Sequence, residues 1–562
     1  MIQKPKGNRI MESKEVQRSS KENIREGKDQ LAPARTETEA RPKRYNSLEK
    51  TIFAVGVGWM LSSASSVSAA PAYPLKLAPG RHYLVDQSGI PFFMQGDAPW
   101  YVIQRLNFEE TDYYLSNRWS KGFNAIVLDI ASHRYGSGAS GQSDVYGNLP
   151  FPNTISGGVS DLSRPNPAYF ANVDNVIRRA GDYGINVLLF PLYAADNIYD
   201  EGWYQEMVAN GSNVLYSYGQ FIGTRYKDFP NIIWVEAGDY TAPNRSLVDA
   251  VAFGILSRDR NHLHTAHAGR TVSALDYYTN TWDQVNTTYT HDITYPKTLS
   301  DYNRNPITPT FLIESYYEGH ADETTPLTCR QEAYGTVFSG AFGHVFGVQS
   351  LWPYASGWQS LLESPGSQTI TNVIRLMQTR PWYDCAPDAG HAAVTSGYGT
   401  FGDRDYITAL RERNGRTVMA YIPNGSMTPT VGMTSISGTT ADAWWYNPRD
   451  GGATHIGQFA TSGSHTFTPS DADDWVLIID DASQNFGPPG ETGKTLKIQA
   501  SDAGSFRFGF SGNWGQTFAL QYTASLNNSW ITLSNATVGS SGTFSFGVPA
   551  TSASGFYRLS RP

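Results

Sequence analysis

Cysteine is nearly absent: Cys329 and Cys385 are the two in 562 residues. Two thiols cannot build a disulfide framework or a cysteine-rich zinc site, and spacing alone leaves open whether they pair or stay free. Charge is scarce too, at 17% of residues. Thirteen basic and eight acidic residues put segment 1–50 at +5, so that within a net charge of −8 the remainder carries −13. A body that acidic argues against nucleic acid or an anionic membrane as partner. The sequence has no H-E-x-x-H, which removes the usual zinc-protease helix, and no G-x-S-x-G nucleophile elbow. Long apolar runs are missing as well. The strongest, Ile52–Leu61, is well short of the ~20 residues a membrane span requires.

That short run has another use. It follows Lys43, Arg44 and Lys50, lies in the uncharged stretch Thr51–Ala70, and leads to the small-x-small pattern Val67-Ser68-Ala69. The pattern is that of a secretory signal, so export with cleavage near Ala69 is expected, to a secreted, periplasmic or cell-surface location. Residues 1–50 are polar and aperiodic and read as disordered. Aromatics are plentiful at 13%, with 14 Trp and 33 Tyr, which suits sugar stacking and ordinary β-rich cores alike.

From Pro74 onward the chain alternates. Asp86-Gln87-Ser88-Gly89 between two apolar runs signals a hairpin. Eight strand-like runs then follow: Phe92–Gln95, Ala125–Ile130, Val187–Leu192, Ile232–Glu236, His262–Ala266, Gln284–Tyr289, Thr310–Glu314 and Val345–Ser350. Helical patterns separate them, including Glu109–Lys121, Pro167–Tyr183, Val214–Lys227, Ser246–Leu256 and Arg330–Ser339, with Ser367–Arg380 as the last helix. A doubly wound open sheet fits the alternation, but a count of eight with polar residues at strand ends favours a (β/α)8 TIM barrel over 74–385. The pattern changes afterwards. Short alternating runs with turn signals predict an antiparallel β-sandwich over 390–482, then a linker at 484–494 and a small β-rich module over 495–562. Gly136 to Gly141 spells G-x-G-x-x-G without a following helix, so it reads as a mobile loop over the barrel mouth rather than a dinucleotide site.

Chemistry concentrates where strands end. The stretch Asn231–Tyr240 puts an apolar run, Ile232–Val235, just ahead of Glu236, Gly238 and Asp239. The seventh run ends in Glu314, followed by Tyr317 and Glu318. Strands four and seven face each other across a barrel mouth, and glycosidic cleavage requires such a pair: one acid to protonate the leaving oxygen, one to attack or to activate water. A glycan-binding protein without catalysis, or an adhesin using the sandwich, remains the alternative reading.

Several stretches resemble the apiosidase-like glycoside hydrolases, whose barrel is followed by a collagen-binding-type β-sandwich. They include Asp86–Phe93, Gly96-Asp97-Ala98-Pro99-Trp100, Gly122-Phe123-Asn124, Asn166–Phe170, Pro230–Trp234 with Gly238-Asp239, Thr265-Ala266-His267, Glu314 with Tyr317-Glu318, and Gly343–Gly347. In the sandwich, Trp444–Gly451 and Asp474–Leu477 match. The resemblance implies a plant cell-wall (pectic) polysaccharide as substrate, with no metal or organic cofactor. It also implies Asp239 as general acid and Glu314 as second catalytic carboxylate, with Asp97, Trp100, His267 and His344 lining the subsite. The chain departs from the family's Gly-Gly-Asp at Ala237 and adds Glu236, a second candidate proton donor. Asp129, Tyr317 and Glu318 are further candidates for substrate binding. Structural alternatives stand beside these: Asp97 fixing the first strand–helix loop, Asp129 capping a turn, Glu318 pairing with Arg330. Of Trp444 and Trp445, one should face the sandwich core and the other pack on the barrel. A monomer is expected.

Overall fold

The computed structural model describes residues 71–136, 141–195, 202–320, 324–491 and, in the C-terminal region, 496–501, 505–511, 517–523, 529–537, 543–549 and 556–560. The expected disordered segment, the signal sequence and most of the G-x-G-x-x-G loop lie outside the described residues.

Eight parallel strands form one sheet: β1 (Met94–Asp97), β2 (Ala125–Asp129), β3 (Asn186–Phe190), β4 (Ile232–Ala237), β5 (His264–His267), β6 (Asn286–Tyr289), β7 (Thr310–Glu314) and β8 (Gly343–Phe346). Their order, β5-β4-β3-β2-β1-β8-β7-β6, is that of a nearly closed (β/α)8 barrel, and every run expected from sequence supplies one strand. A short antiparallel piece precedes it, in which Leu84–Val85 pairs with Pro91–Phe92 across the expected turn.

Local chemistry sets the connections. The helix Phe108–Ser120 opens on a capping box, Asn107 accepting from the Glu110 amide while the Glu110 carboxylate accepts from the Asn107 amide. The helix Pro167–Asp182 starts from Asn166 with proline in its first turn. Gly122 and Gly184 follow these two helices at φ of 90° and 68°, the left-handed geometry that returns each chain to the next strand.

Strand residues alternate between two apolar layers. Met94, Val127, Leu188, Ile233, Val235, Phe311, Ile313 and Val345 fill the barrel interior. Ile126, Leu128, Leu189, Ile232, Trp234 and Phe346 face the surrounding helices.

The sandwich follows directly. An antiparallel six-stranded sheet runs Cys385–Pro387, Thr408–Glu412, Thr417–Ile422, Trp475–Asp481, Thr440–Tyr446, Ala453–Ala460 in spatial order, beside a three-stranded sheet of Val394–Ser396, Thr430–Gly432 and Ser464–Thr466. Trp445 points into the core between the sheets, and Trp444 packs on the barrel side. Leu410, Met419, Tyr421, Tyr446, Val476 and Ile478, from the other face of the large sheet, belong to the apolar layer that surrounds the barrel. Charged clamps frame this seam. Arg330 donates twice to Asp474, at 2.8 and 2.7 Å, and Arg380 Nη2 donates to Asp480 at 2.7 Å, all four side chains buried. Tyr334 stacks on Tyr421 at 4.8 Å. Both cysteines are free. The C-terminal strands form two antiparallel three-stranded sheets.

Candidate active site

At the C-terminal end of β4 the backbone turns through three consecutive residues of positive φ: Ala237 at 66°, Gly238 at 112° and Asp239 at 45°. Gly238 is obligatory, since a Cβ there would run into the Tyr193 ring. Ala237 occupies a left-handed position at a cost of about 1–2 kcal/mol, one that a glycine would take without strain. Hydrogen bonds hold the turn. The Ala194 and Ala195 amides donate to the carbonyls of Ala237 and Gly238 at 2.8 and 3.1 Å, and the Gly238 amide donates to the His267 carbonyl at 3.1 Å.

His267, at the end of β5, connects the two acids. The Asp239 amide donates to its Nδ1 at 3.1 Å, so the ring proton belongs on Nε2. Nε2 lies 3.3 Å from Glu314 Oε2. Burial, assisted by His291, drives the His267 pKa down to about 3, so the ring beside Glu314 is neutral.

Glu314 reaches the mouth through an irregularity. Thr288 pairs with Leu312, but the next β6 residue, Tyr289, pairs with Glu314. This β-bulge re-aims a side chain that regular alternation would turn toward the helices. Burial and the Asp239 charge raise the Glu314 pKa well above the ordinary glutamate range, while Tyr317 and Arg270 oppose the shift. A relay supports the carboxylate: Trp100 Nε1–H donates to Tyr317 Oη at 2.7 Å, and Tyr317 hydrogen-bonds Glu314. Trp100 sits at φ 28° with its ring 5.0 Å from Phe190 and 5.2 Å from Tyr193. Arg270 is exposed, hydrogen-bonds Tyr289 and acts on both acids.

Five expected site residues therefore converge: Asp239, Glu314, His267, Trp100 and Tyr317. Tyr193, Tyr289 and Arg270 join them unannounced; the aromatic wealth of the sequence was the one general signal for the first two. The remaining candidates lie elsewhere. Asp97 is buried against the helix after β1, taking Arg118 Nε at 2.7 Å and the Tyr114 hydroxyl at 2.5 Å, so it fixes that strand–helix connection. Asp129 accepts from the Ala131 amide at 3.1 Å, caps the turn, and lies near Tyr169 and Tyr218 of the helical layer. Glu236 is buried on the helix-facing side, 3.4 Å from His264 Nδ1. His344 is buried beside Gln95 at 3.1 Å. Glu318 does not pair with Arg330, which the sandwich has claimed; it accepts from Ser364 Oγ at 2.6 Å and the Gly366 amide at 2.7 Å. Among the described residues, no cluster of His, Cys, Asp and Glu is placed to hold a metal ion, and no helix is long and apolar enough to cross a membrane.

Comparison with known proteins bears on family and fold. The family described as "Apiosidase-like, catalytic domain" matches residues 78–384, and the "Putative collagen-binding domain of a collagenase" matches 398–480. Among solved structures, a glycoside hydrolase family 5 protein from Bacteroides vulgatus shares 24% identity at a TM-score of 0.63, over 73% of this chain and 94% of its own. A second structure, described as a glycoside hydrolase, has the same identity and TM-score over 75% and 99%. These likenesses concern the fold. Among curated proteins, none matches the chain.

Proposed function

The chain belongs to the apiosidase-like glycoside hydrolases, and from that premise we propose that it is an exported enzyme that cleaves an apiosyl linkage in pectic side chains of plant cell-wall polysaccharide. Asp239 serves as acid/base and Glu314 as nucleophile. The observation that carries this reading is the histidine bridge, with the Asp239 amide on one ring nitrogen and the Glu314 carboxylate at the other.

The pair retains a proton at pH values where an ordinary glutamate has lost its own, because burial and mutual repulsion disfavour double ionisation. Tyr317 and Arg270 favour the ionised form of Glu314 against burial and the Asp239 charge, and the reading gives Glu314 the role of nucleophile and Asp239 that of proton donor in the reacting state. With a sugar in the mouth, Asp239 protonates the leaving oxygen as Glu314 attacks the anomeric carbon. Water, deprotonated by Asp239, then releases the sugar with configuration retained. Trp100, Tyr193 and Tyr289 form a packed aromatic wall beside the two acids.

The test is reducing-sugar release by residues 70–562 from a panel of plant polysaccharides, beside Asp239→Ala and Glu314→Ala. Release of apiose-terminated product by wild type, absent in both variants, is expected. Full activity in either variant would remove that residue from the mechanism. Export rests on Thr51–Ala70, and sequencing the N-terminus of secreted protein checks it: a start near Pro71 is expected.

A further inference from the structure

Ser315 directly follows Glu314, and its hydroxyl turns away from the mouth. It donates to Glu332 Oε2 at 2.9 Å, both residues being buried. Glu332 belongs to the helix Pro326–Val337, the same helix that Arg330 clamps to Asp474 of the sandwich. Thr294 Oγ1 donates to the Glu332 carbonyl at 2.9 Å, fixing that turn of the helix from another side.

We propose that Glu332 is a positioning residue for Glu314, acting through Ser315, and that the sandwich holds its helix in place through Arg330. The proposal rests on Glu314 being the nucleophile. Small clefts border this buried carboxyl on two sides. One is lined by Arg404, Tyr406 and Tyr421 of the sandwich with Tyr295 of the barrel. The other lies beneath Ser315 and Tyr316 and includes Cys329 and His344. Between two clefts, the hydrogen bond to Ser315 sets where the strand end lies. Glu314 follows an irregularity in the β6–β7 ladder, so an anchor one residue later has leverage on the nucleophile.

The arrangement carries a pH signature. Burial pushes Glu332 up to about 8, with Ser315 and Arg404 opposing the shift, so it is protonated at neutral pH. Of the groups that face it, Tyr295, Tyr406, Tyr421 and Cys329 are pushed upward by burial, and His344 is driven down to about 3. Ionisation of Glu332 above pH 8 places a charge between the clefts with Arg404 as its compensating cation, and Ser315 shifts with it.

Glu332→Gln keeps the shape and the acceptor but cannot ionise. Measured on apiose-bearing pectin, its kcat relative to wild type should stay near one at pH 6 and rise at least fivefold by pH 9; taking the ratio cancels titration of the catalytic pair. Ser315→Ala should lower kcat about tenfold at pH 6 with KM unchanged. Melting temperature needs no substrate: the advantage of Glu332→Gln over wild type should grow between pH 5 and 9. A kcat ratio that is flat across this range, or a Ser315→Ala variant with wild-type kcat, overturns the proposal. Glu314→Ala is the control for the underlying reading. If it stays active, the nucleophile assignment has failed; if it is inactive while the Glu332 and Ser315 variants match wild type, this inference has failed alone.

Discussion

Asp474 and Asp480, in the seam between barrel and sandwich, each face an arginine that donates to them twice or more. Glu314, at the barrel mouth, instead faces a second carboxylate, a phenol, and an imidazole kept neutral by its burial. Asp474 and Asp480 are buried and Glu314 is nearly so, at 12% side-chain exposure, so burial alone does not set their roles. The partner does. A bidentate guanidinium makes a buried carboxylate an anchor, costly to expose and chemically inert. Neutral donors beside a like charge leave a carboxylate able to exchange its proton near neutrality.

Replacing one acid from each group separates the two roles. Glu314→Ala should reduce kcat by at least about 10³, at the upper part of the range for a catalytic carboxylate, with the protein still folded by circular dichroism. Stability sharpens this result. The Glu314 pKa is raised in the folded state, so ionisation opposes folding: the penalty sets in as pH climbs past the unfolded value and is complete above the folded one. Glu314→Gln should therefore melt at the same temperature as wild type at pH 4 and higher at pH 8. Asp474→Ala should lose about 3–5 kcal/mol because Arg330 is left buried and unpaired, while kcat below the melting range falls by no more than the roughly tenfold expected of Ser315→Ala. Denaturant titration beside steady-state kinetics distinguishes the two; an Asp474 variant with normal stability would break the comparison.

Smaller effects follow from the supports. Tyr317→Phe removes a hydrogen bond that lowers the Glu314 pKa, so the acidic limb of the kcat profile should move to higher pH and kcat should drop about tenfold at its optimum. An unchanged limb would detach the Trp100–Tyr317 relay from the chemistry. Ala237→Gly should be the mildest change. Relief of the left-handed strain outweighs the extra freedom of the unfolded chain, for a gain of about 0.5–1 kcal/mol. A loss of stability there would mean that the Ala237 methyl contributes more than its backbone costs.

Much of this architecture was legible in the residues. Each of the eight expected runs supplies a barrel strand, and the resemblance selected the two acids that His267 joins. What could not be read was which way a strand residue faces. A strand apolar on both sides has no polar face to separate inside from outside, so Glu236, Asp97 and His344, all next to inward-facing positions, were grouped with the mouth although they lie toward the helices. Glu314 is the converse case. Strict alternation would send it outward, and the bulge that reverses it leaves no mark in composition. Arg270 and Tyr193 lie in loops just past strand ends, where reach across the mouth depends on backbone turns rather than on period. The sequence weighs substrate binding by Glu318 against a pair with Arg330, but Asp474, 144 residues away, holds that guanidinium.

The seam has a practical consequence. A fragment cut at residue 385 would leave the barrel helices without the cover of Leu410, Met419, Tyr421, Val476 and Ile478, and with Arg330 and Arg380 facing solvent. The excised sandwich would in turn display a broad greasy wall, and a pull-down performed with it would report stickiness rather than recognition. For expression libraries and domain shuffling, the smallest portable piece of this enzyme is two folds wide. Any partner sought for the sandwich has to be accommodated on surfaces that the barrel leaves open.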